Sequence, residues 1–285
     1  MTGADTSQVR RAGRVAVIGD LAGHWEELRG ELLRLGADLQ TLRLPEDLTV
    51  IQVGDLVHRG PDSEGVVAVV DCYLREQPGQ WVQLAGNHEA QYLREPAFDW
   101  PETITDEAIE TLRSWWSDGR MRIAAVVRSA DEDFLVTHAG VTEGFWRQAL
   151  DSPSSASHAS AAINSLIGTR DDVLFYAGEM LRGGDPNLGA GPVWAATASE
   201  LVPSWLGADR RLPFNQIHGH SMIVDWRRRR VRGGGELTDL LTIDQDAAHE
   251  TVALPGGRII GIDPGHGRQA HRPWRALVIE NATVQ

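Results

Sequence analysis

Five times along this chain a strand-like or apolar segment ends in a residue carrying an oxygen or imidazole ligand. The endings are Gly19-Asp20, Gly54-Asp55, Gly86-Asn87-His88-Glu89, Thr137-His138-Ala139-Gly140 and His218-Gly219-His220-Ser221. The segments before the first two, residues 15–18 and 49–53, are short and β-branched, as in strands buried on both faces. Residues 81–84 read as a third strand. Between the first two, Trp25, Leu28, Leu32 and Leu35 recur at helical spacing, Gly36 is placed to cap that helix, and residues 63–76 read as a second helix. A β-α-β-α-β opening requires parallel strands with helical crossovers, so the fold class is α/β. Ligands in such sheets gather at the carboxyl ends of the strands. One Asp at a strand end would signify only a turn or a helix cap. Carboxylate, amide and imidazole together suit Mn, Fe or Zn better than a soft thiolate site would, and five such endings in one domain point to a two-metal hydrolase.

Composition narrows the partners. The chain has 285 residues and a formal net charge of −13, which disfavours nucleic acid and acidic membranes as partners. Its one cysteine, Cys72, excludes an intramolecular disulfide and fits a reducing compartment. It sits in an apolar run and is expected to be buried and inert. No apolar run approaches the ~20 residues of a membrane span. Residues 1–13 are polar without the apolar centre of a signal peptide, so they read as a flexible tail before a single domain over 14–285, and the location expected is cytoplasmic.

Further along, residues 106–117 predict a helix with Ile109, Leu112, Trp115 and Trp116 on or near one face, the tryptophans packing in the core or a lid. Strands are expected at 123–127 and 134–137, and again at 222–226, 237–243, 258–262 and 275–279. The Ser/Ala-rich residues 151–162 and Gly/Pro-rich residues 183–192 read as loops. Arg227 to Arg230 with Arg232 reads as a solvated hairpin edge rather than a patch for nucleotide or polyphosphate.

The motifs GDLAG (19–23), GDLVHRG (54–60), GNHE (86–89), THAG (137–140), GHS (219–221) and IDPG (262–265) resemble, in order and spacing, those of the phosphoprotein-phosphatase-like branch of the calcineurin-type metallophosphoesterases. That resemblance spans nearly the whole chain and implies a central β-sandwich flanked by helices. It implies a metal-dependent phosphoesterase acting on a phosphomonoester or phosphoanhydride, with two divalent ions, Mn first and Fe or Zn as alternatives. Asp55 matches the bridging ligand, Asn87, His138 and His220 the ligands of one ion, and Asp20 a ligand of the other. His88 matches the proton donor to the leaving group and Arg59 the phosphate-binding arginine. The substrates implied are a phosphorylated small molecule, a nucleotide or a phosphoprotein.

Two positions depart from that pattern. Ala22 stands where the family has a ligating histidine, leaving His24 or His266 to compensate. His58 stands where the family has the aspartate that charges the acid, so His88 is expected to be a weaker acid, best suited to phosphate or aryl oxide leaving groups. A second phosphate-binding arginine has no clear match, Arg170 and Arg182 being the nearest, and Asp263 is read as supporting its loop. Both departures keep open an alternative, a metal- or phosphate-binding relative with little activity.

Overall fold

The computed structural model describes residues 13–207, 210–232, 234–268 and 273–285. The expected tail lies outside the described residues except for Gly13, which already opens the first strand opposite Ala282.

The first half of the chain builds β1 (Gly13–Ile18), α1 (Trp25–Leu35), β2 (Leu48–Gln52), α2 (Ser63–Glu76), β3 (Trp81–Leu84), α3 (Asn87–Leu93), α4 (Asp106–Ser117), β4 (Met121–Arg122), β5 (Ala124–Arg128), β6 (Asp133–Thr137), α5 (Glu143–Gln148) and α6 (Ala156–Ser165). Short helices α7 (Asp171–Leu174) and α8 (Glu179–Arg182) follow, then a π-helical turn at Thr197–Leu201 and α9 (Val202–Trp205). The rest comprises β7 (Asn215–His218), β8 (Val224–Asp225), β9 (Arg230–Val231), α10 (Gly235–Asp239), β10 (Leu241–Asp244), β11 (His249–Leu254), β12 (Gly257–Gly261) and β13 (Leu277–Val284).

The main sheet runs β10-β11-β12-β7-β6-β5-β13-β1-β2-β3-β4. Alternation along its strands decides how it packs. Val15 and Val17 of β1 share one core with Ile51, Val53, Val82 and Leu84, and also with Val127, Val136, Ile217 and Ile260 from the other half of the sheet. Ala16 and Ile18 instead join Leu28, Leu32, Val66 and Val70 of the helices. The sheet therefore doubles over at β13, which pairs antiparallel with both β1 and β5, and the result is a sandwich with helices outside. Each fully buried Val, Ile or Leu contributes roughly 1.5–3 kcal/mol.

Within each half the strands that carry the motifs are parallel: β1 with β2 and β2 with β3, β6 with β7 and β7 with β12. Their carboxyl ends line one edge. Two buried glutamines tie these ends together. Gln52 donates to Gly19 O (3.1 Å) and Gly54 O (2.7 Å) and accepts from Gly54 N (2.9 Å), while Gln83 donates to Gln52.

Four expectations need correction. Residues 151–162 are not all loop, because α6 begins at Ala156. Alanine is the best helix former, and Ser155 caps the helix by accepting from His158 N. Residues 237–243 are not one strand: α10 occupies the first part and β10 the second. Of residues 222–226 only Val224 and Asp225 pair, in a hairpin with β9, where Asp225 holds Arg228 at 3.3 Å and Arg232 at 3.7 Å. Cys72 is half-buried rather than buried. Trp115 is fully buried and donates to Asp71 (2.9 Å), a core residue as expected. Among the described residues no helix is long and apolar enough to cross a membrane.

Candidate metal centre

The loops after β1, β2 and β7 turn sharply, and several non-glycine residues in them adopt the left-handed region: Ala22 (φ 47), Asp55 (φ 56), His58 (φ 72), Arg59 (φ 66) and His220 (φ 63). Each such residue costs roughly 1–2 kcal/mol and persists only where its surroundings fix it. Glu89 supplies much of that fixation. Fully buried, it accepts from Asp55 N, Leu56 N and Gly86 N, all at 2.8 Å. Burial pushes its carboxyl up to about 7, with Asp55 adding to the rise and the three N–H donors opposing it. Ser63 Oγ accepts from His58 N at 2.9 Å, and Glu102 accepts from Arg59 N. Gly54 (φ 108) admits no side chain, since a Cβ there would lie 2.3 Å from Gly86 N; the second and third motifs meet backbone to backbone.

These loops bring four donors together. One ligand atom each from Asp55, His138 and His220 lies within 4.8 Å of the others, all three residues buried. Asn87 Oδ1 is 3.0 Å from His138 Nε2 and 2.8 Å from His220 Nδ1, and Asp55 Oδ1 is 3.4 Å from His138 Nε2. His138 Nδ1 faces Val53 O at 3.0 Å, and a carbonyl only accepts, so that nitrogen carries the hydrogen. In the neutral ring the Nε2 lone pair then points at two further oxygens. Burial lowers the pKa of His138, and burial together with His138 holds that of His220 well below the usual histidine value, so protonation does not relieve this crowding. Burial pushes Asp55 up, but the neighbouring His88, His138 and His220 outweigh it and hold the carboxylate low. Carboxylate, amide and imidazole atoms converging in one buried cluster are a donor set that suits a divalent cation.

The neighbouring half is sparser. Asp20 Oδ1 accepts from His220 N at 2.9 Å, while its Oδ2 is buried with no hydrogen-bond partner among the described residues. Its pKa is raised well above the usual range, by burial first, then by Asp263 and Asp55. Asp263 does support its loop, accepting from Gly265 N at 2.7 Å, and is itself pushed up to about 6 by burial, with Asp55 adding to the rise. Three buried carboxylates thus act on one another where Ala22 offers no ligand. Of the two candidate replacements His24 is engaged elsewhere, while His266 Nε2 is buried with no hydrogen-bond partner among the described residues. His24 Nε2 donates to Gly267 O at 2.7 Å, and its ring lies 4.9 Å from that of His266, which in turn stands edge-on to Trp274. Neither histidine joins the donor cluster.

Beside this pair of positions stands His88. Its N–H is held by Asp55 Oδ1 at 3.0 Å, its Nε2 lies 3.6 Å from Asp55 Oδ2, and its Nδ1 contacts Val57 O (3.0 Å) and His58 Nδ1 (3.1 Å). Burial lowers its pKa, partly offset by Asp55. His58 contacts Tyr92 Oη through Nε2 at 2.6 Å and stacks on Trp100 with ring centroids 5.0 Å apart; burial and His88 lower it to about 3. Arg59 lies over the face of Trp100, 6.0 Å from the ring, and its charge acts on Asp20, Asp55, His88, His138, His220 and Asp263 together. It faces the whole centre. Arg170 and Arg182 do not; Arg182 lies on Tyr176, 5.5 Å from its ring.

Residues 13–166 match the family model for calcineurin-like phosphoesterases, more than half of the chain. The chain belongs to the calcineurin-like phosphoesterases. The family hydrolyses phosphoric esters with paired metal ions, and this member has candidate ligands for them. No curated protein matches the sequence. The fold is similar to a cold-active protein-tyrosine phosphatase of a psychrophilic Shewanella species, at 15% identity and a TM-score of 0.52, over 95% of this chain and 76% of that one. Other solved structures include a protein serine/threonine phosphatase from Saccharomyces cerevisiae (15% identity, TM-score 0.44, 89% and 67% covered) and a metallophosphoesterase from Sphaerobacter thermophilus (14%, 0.41, 96% and 87%).

Sequence reasoning missed Glu89, Gln52, Gln83 and Tyr92. The only available signal was Glu89's place inside GNHE; Gln83 and Tyr92 act through partners about thirty or more positions away, and Gln52 joins the nearby Gly54 to the distant Gly19.

Proposed function

We propose that this calcineurin-like phosphoesterase hydrolyses phosphate esters or anhydrides whose leaving groups need little protonation, with one divalent ion held tightly and a second loosely. The observation that carries the reading is the convergence of Asp55, Asn87, His138 and His220 in one buried cluster. These four would hold the tight ion, with Mn the first choice and Fe or Zn as alternatives. Asp20 and Asp55 would hold the second, with no ligating side chain at position 22 to take the place of the absent histidine. Bound ions supply acidification of the attacking water and neutralisation of charge on the phosphoryl oxygens.

Arg59 binds the phosphoryl group with its planar pair of N–H donors. As water adds to phosphorus and the bond to the leaving oxygen breaks, His88 gives that oxygen a proton from Nε2. Val57 O accepts from Nδ1–H and fixes the ring. His58, with no charge to stabilise an imidazolium at position 88, makes this donor weak, which favours aryl oxides and phosphates over alkoxides. The substrate class is a phosphorylated small molecule, nucleotide or phosphoprotein, and the single cysteine fits a cytoplasmic setting.

The test is a leaving-group series with Mn present. Rates should fall steeply from aryl phosphates to alkyl phosphates such as phosphoserine. Equal rates across the series would overturn the assignment of His58 and His88, and no hydrolysis of any member would overturn the enzyme reading.

A further inference from the structure

Next to the centre lies a cavity of about 260 Å³ that the proposed chemistry leaves unused. Its walls include Gln91, Arg94, Phe175, Leu181 and Trp194. It adjoins the metal centre through two elements. Trp194 stands edge-on to His220, ring centroids 6.1 Å apart at 83°. Helix α3 starts at Asn87, and Gln91 lies one turn further along the same face. Arg94 follows the last residue of that helix, so at 1.5 Å per residue the cavity extends roughly 10 Å along the axis from the Asn87 ligand.

The lining is aromatic and mixed in charge, with Glu95 beside Arg94. Phe175 and Trp194 supply aromatic surface. Gln91 is buried; its Oε1 accepts from Ala97 N at 3.1 Å, which fixes the amide, and its Nε2 has no hydrogen-bond partner among the described residues. The Arg94 guanidinium rests 5.1 Å from the centre of the Phe175 ring and makes no ion pair among the described residues. A volume below the ~300 Å³ at which pockets for drug-sized ligands begin leaves room for one substituted ring, not for an extended molecule.

We propose that this cavity is the leaving-group subsite, and that it takes a planar aryl group bearing an anionic substituent on the side away from the phosphoryl group. The ring packs against Phe175 and Trp194. Arg94 pairs with the distal carboxylate or other anion in a two-point hydrogen bond. The inference rests on the phosphoesterase reading and narrows its substrate. Such a group occurs in small aryl phosphates and, through its α-carboxylate, in free phosphotyrosine, whereas phosphotyrosine within a peptide has no anion on its ring side chain.

Steady-state kinetics of the Mn-loaded full chain on phenyl phosphate and 4-carboxyphenyl phosphate test it. The carboxylated substrate should show a KM about tenfold lower. Arg94→Ala should bring the ratio of the two KM values close to one, and Leu181→Trp, which fills the cavity, should raise KM for both while inhibition by inorganic phosphate stays as it was. Free phosphotyrosine should show a lower KM than a phosphotyrosine peptide with no acidic neighbours, and a lower KM for the peptide would overturn the pairing of Arg94 with a distal anion. Equal KM values for the two phenyl substrates, with no response to either variant, would overturn the subsite alone. Failure to hydrolyse phenyl phosphate at all would overturn the reading beneath it.

Discussion

The two halves of the metal centre share their backbone plan and differ in what their side chains offer. Around Asp55 two donors are supported from behind, with Glu89 holding the Asp55 N–H and Val53 O orienting His138, while Asn87 Oδ1 reaches both imidazoles. Around Asp20 the loop is held as firmly, with Leu21 N and Ala22 N both on Asp55 O and Gly60 N on Ala22 O, yet its side chains leave an unpartnered oxygen and a methyl group. The left-handed turn at Ala22 is retained although the side chain there cannot ligate. The lesson is that this loop also positions the Asp55 backbone. Loss of its ligand therefore spares the fold, and its cost falls on the affinity of one ion.

The largest effect should come from breaking the complete half. Asn87→Ala removes the donor shared by both imidazoles, and hydrolysis of phenyl phosphate should fall by more than about 100-fold, above the usual cost of a lost supporting partner. Elemental analysis should show the tightly held ion gone. Next is His88→Ala, which should cost roughly 10²–10⁴-fold on an alkyl phosphate and much less on an aryl one. His58→Asp should flatten that difference by restoring charge behind His88. A similar loss on both substrates would show that His88 acts structurally.

The sparse half can be sharpened instead of broken. Ala22→His should tighten the loosely held ion by about 10–100-fold, read by chelator competition.

The smallest effect on catalysis is expected at Glu250, which holds the backbone that follows His220. It accepts from Ile223 N (2.7 Å) and Val224 N (2.8 Å), and burial raises its pKa from 4.5 to about 7, with Asp263 adding to the rise. A raised carboxyl pKa means that the folded protein holds this proton more tightly than the unfolded chain. Its contribution to stability is therefore complete below 4.5 and is lost as pH rises through about 7. The thermal midpoint should drop by a few degrees between about pH 5 and pH 8, and Glu250→Gln should reduce that drop.

How much of this the sequence disclosed follows from the range of each interaction. Helices Ser63–Glu76 and Asp106–Ser117 match their expected bounds because their signals are local: Asp62 accepts from Gly65 N and Thr105 from Ala108 N at their starts. Helix α6 was hidden by a Ser/Ala composition that also suits loops. The doubling of the sheet at β13 is long-range, and apolar periodicity cannot say which strands pair. At the site, donor identities were legible, whereas their supports were not. His24 shows why proximity in sequence misleads: the turn at Ala22 and Gly23 leads straight into α1, which His24 precedes, and the ring meets Gly267 instead of the donors. Glu89 and Gln52 act on backbone groups that only the fold brings near.

The most direct test of the unequal halves is a calorimetric titration of Mn into the metal-stripped chain, repeated on Ala22→His. The account predicts two events in the unmodified protein, the second at least about tenfold weaker, and a narrowed gap in the variant. Two ions bound with equal affinity by the unmodified chain would contradict it.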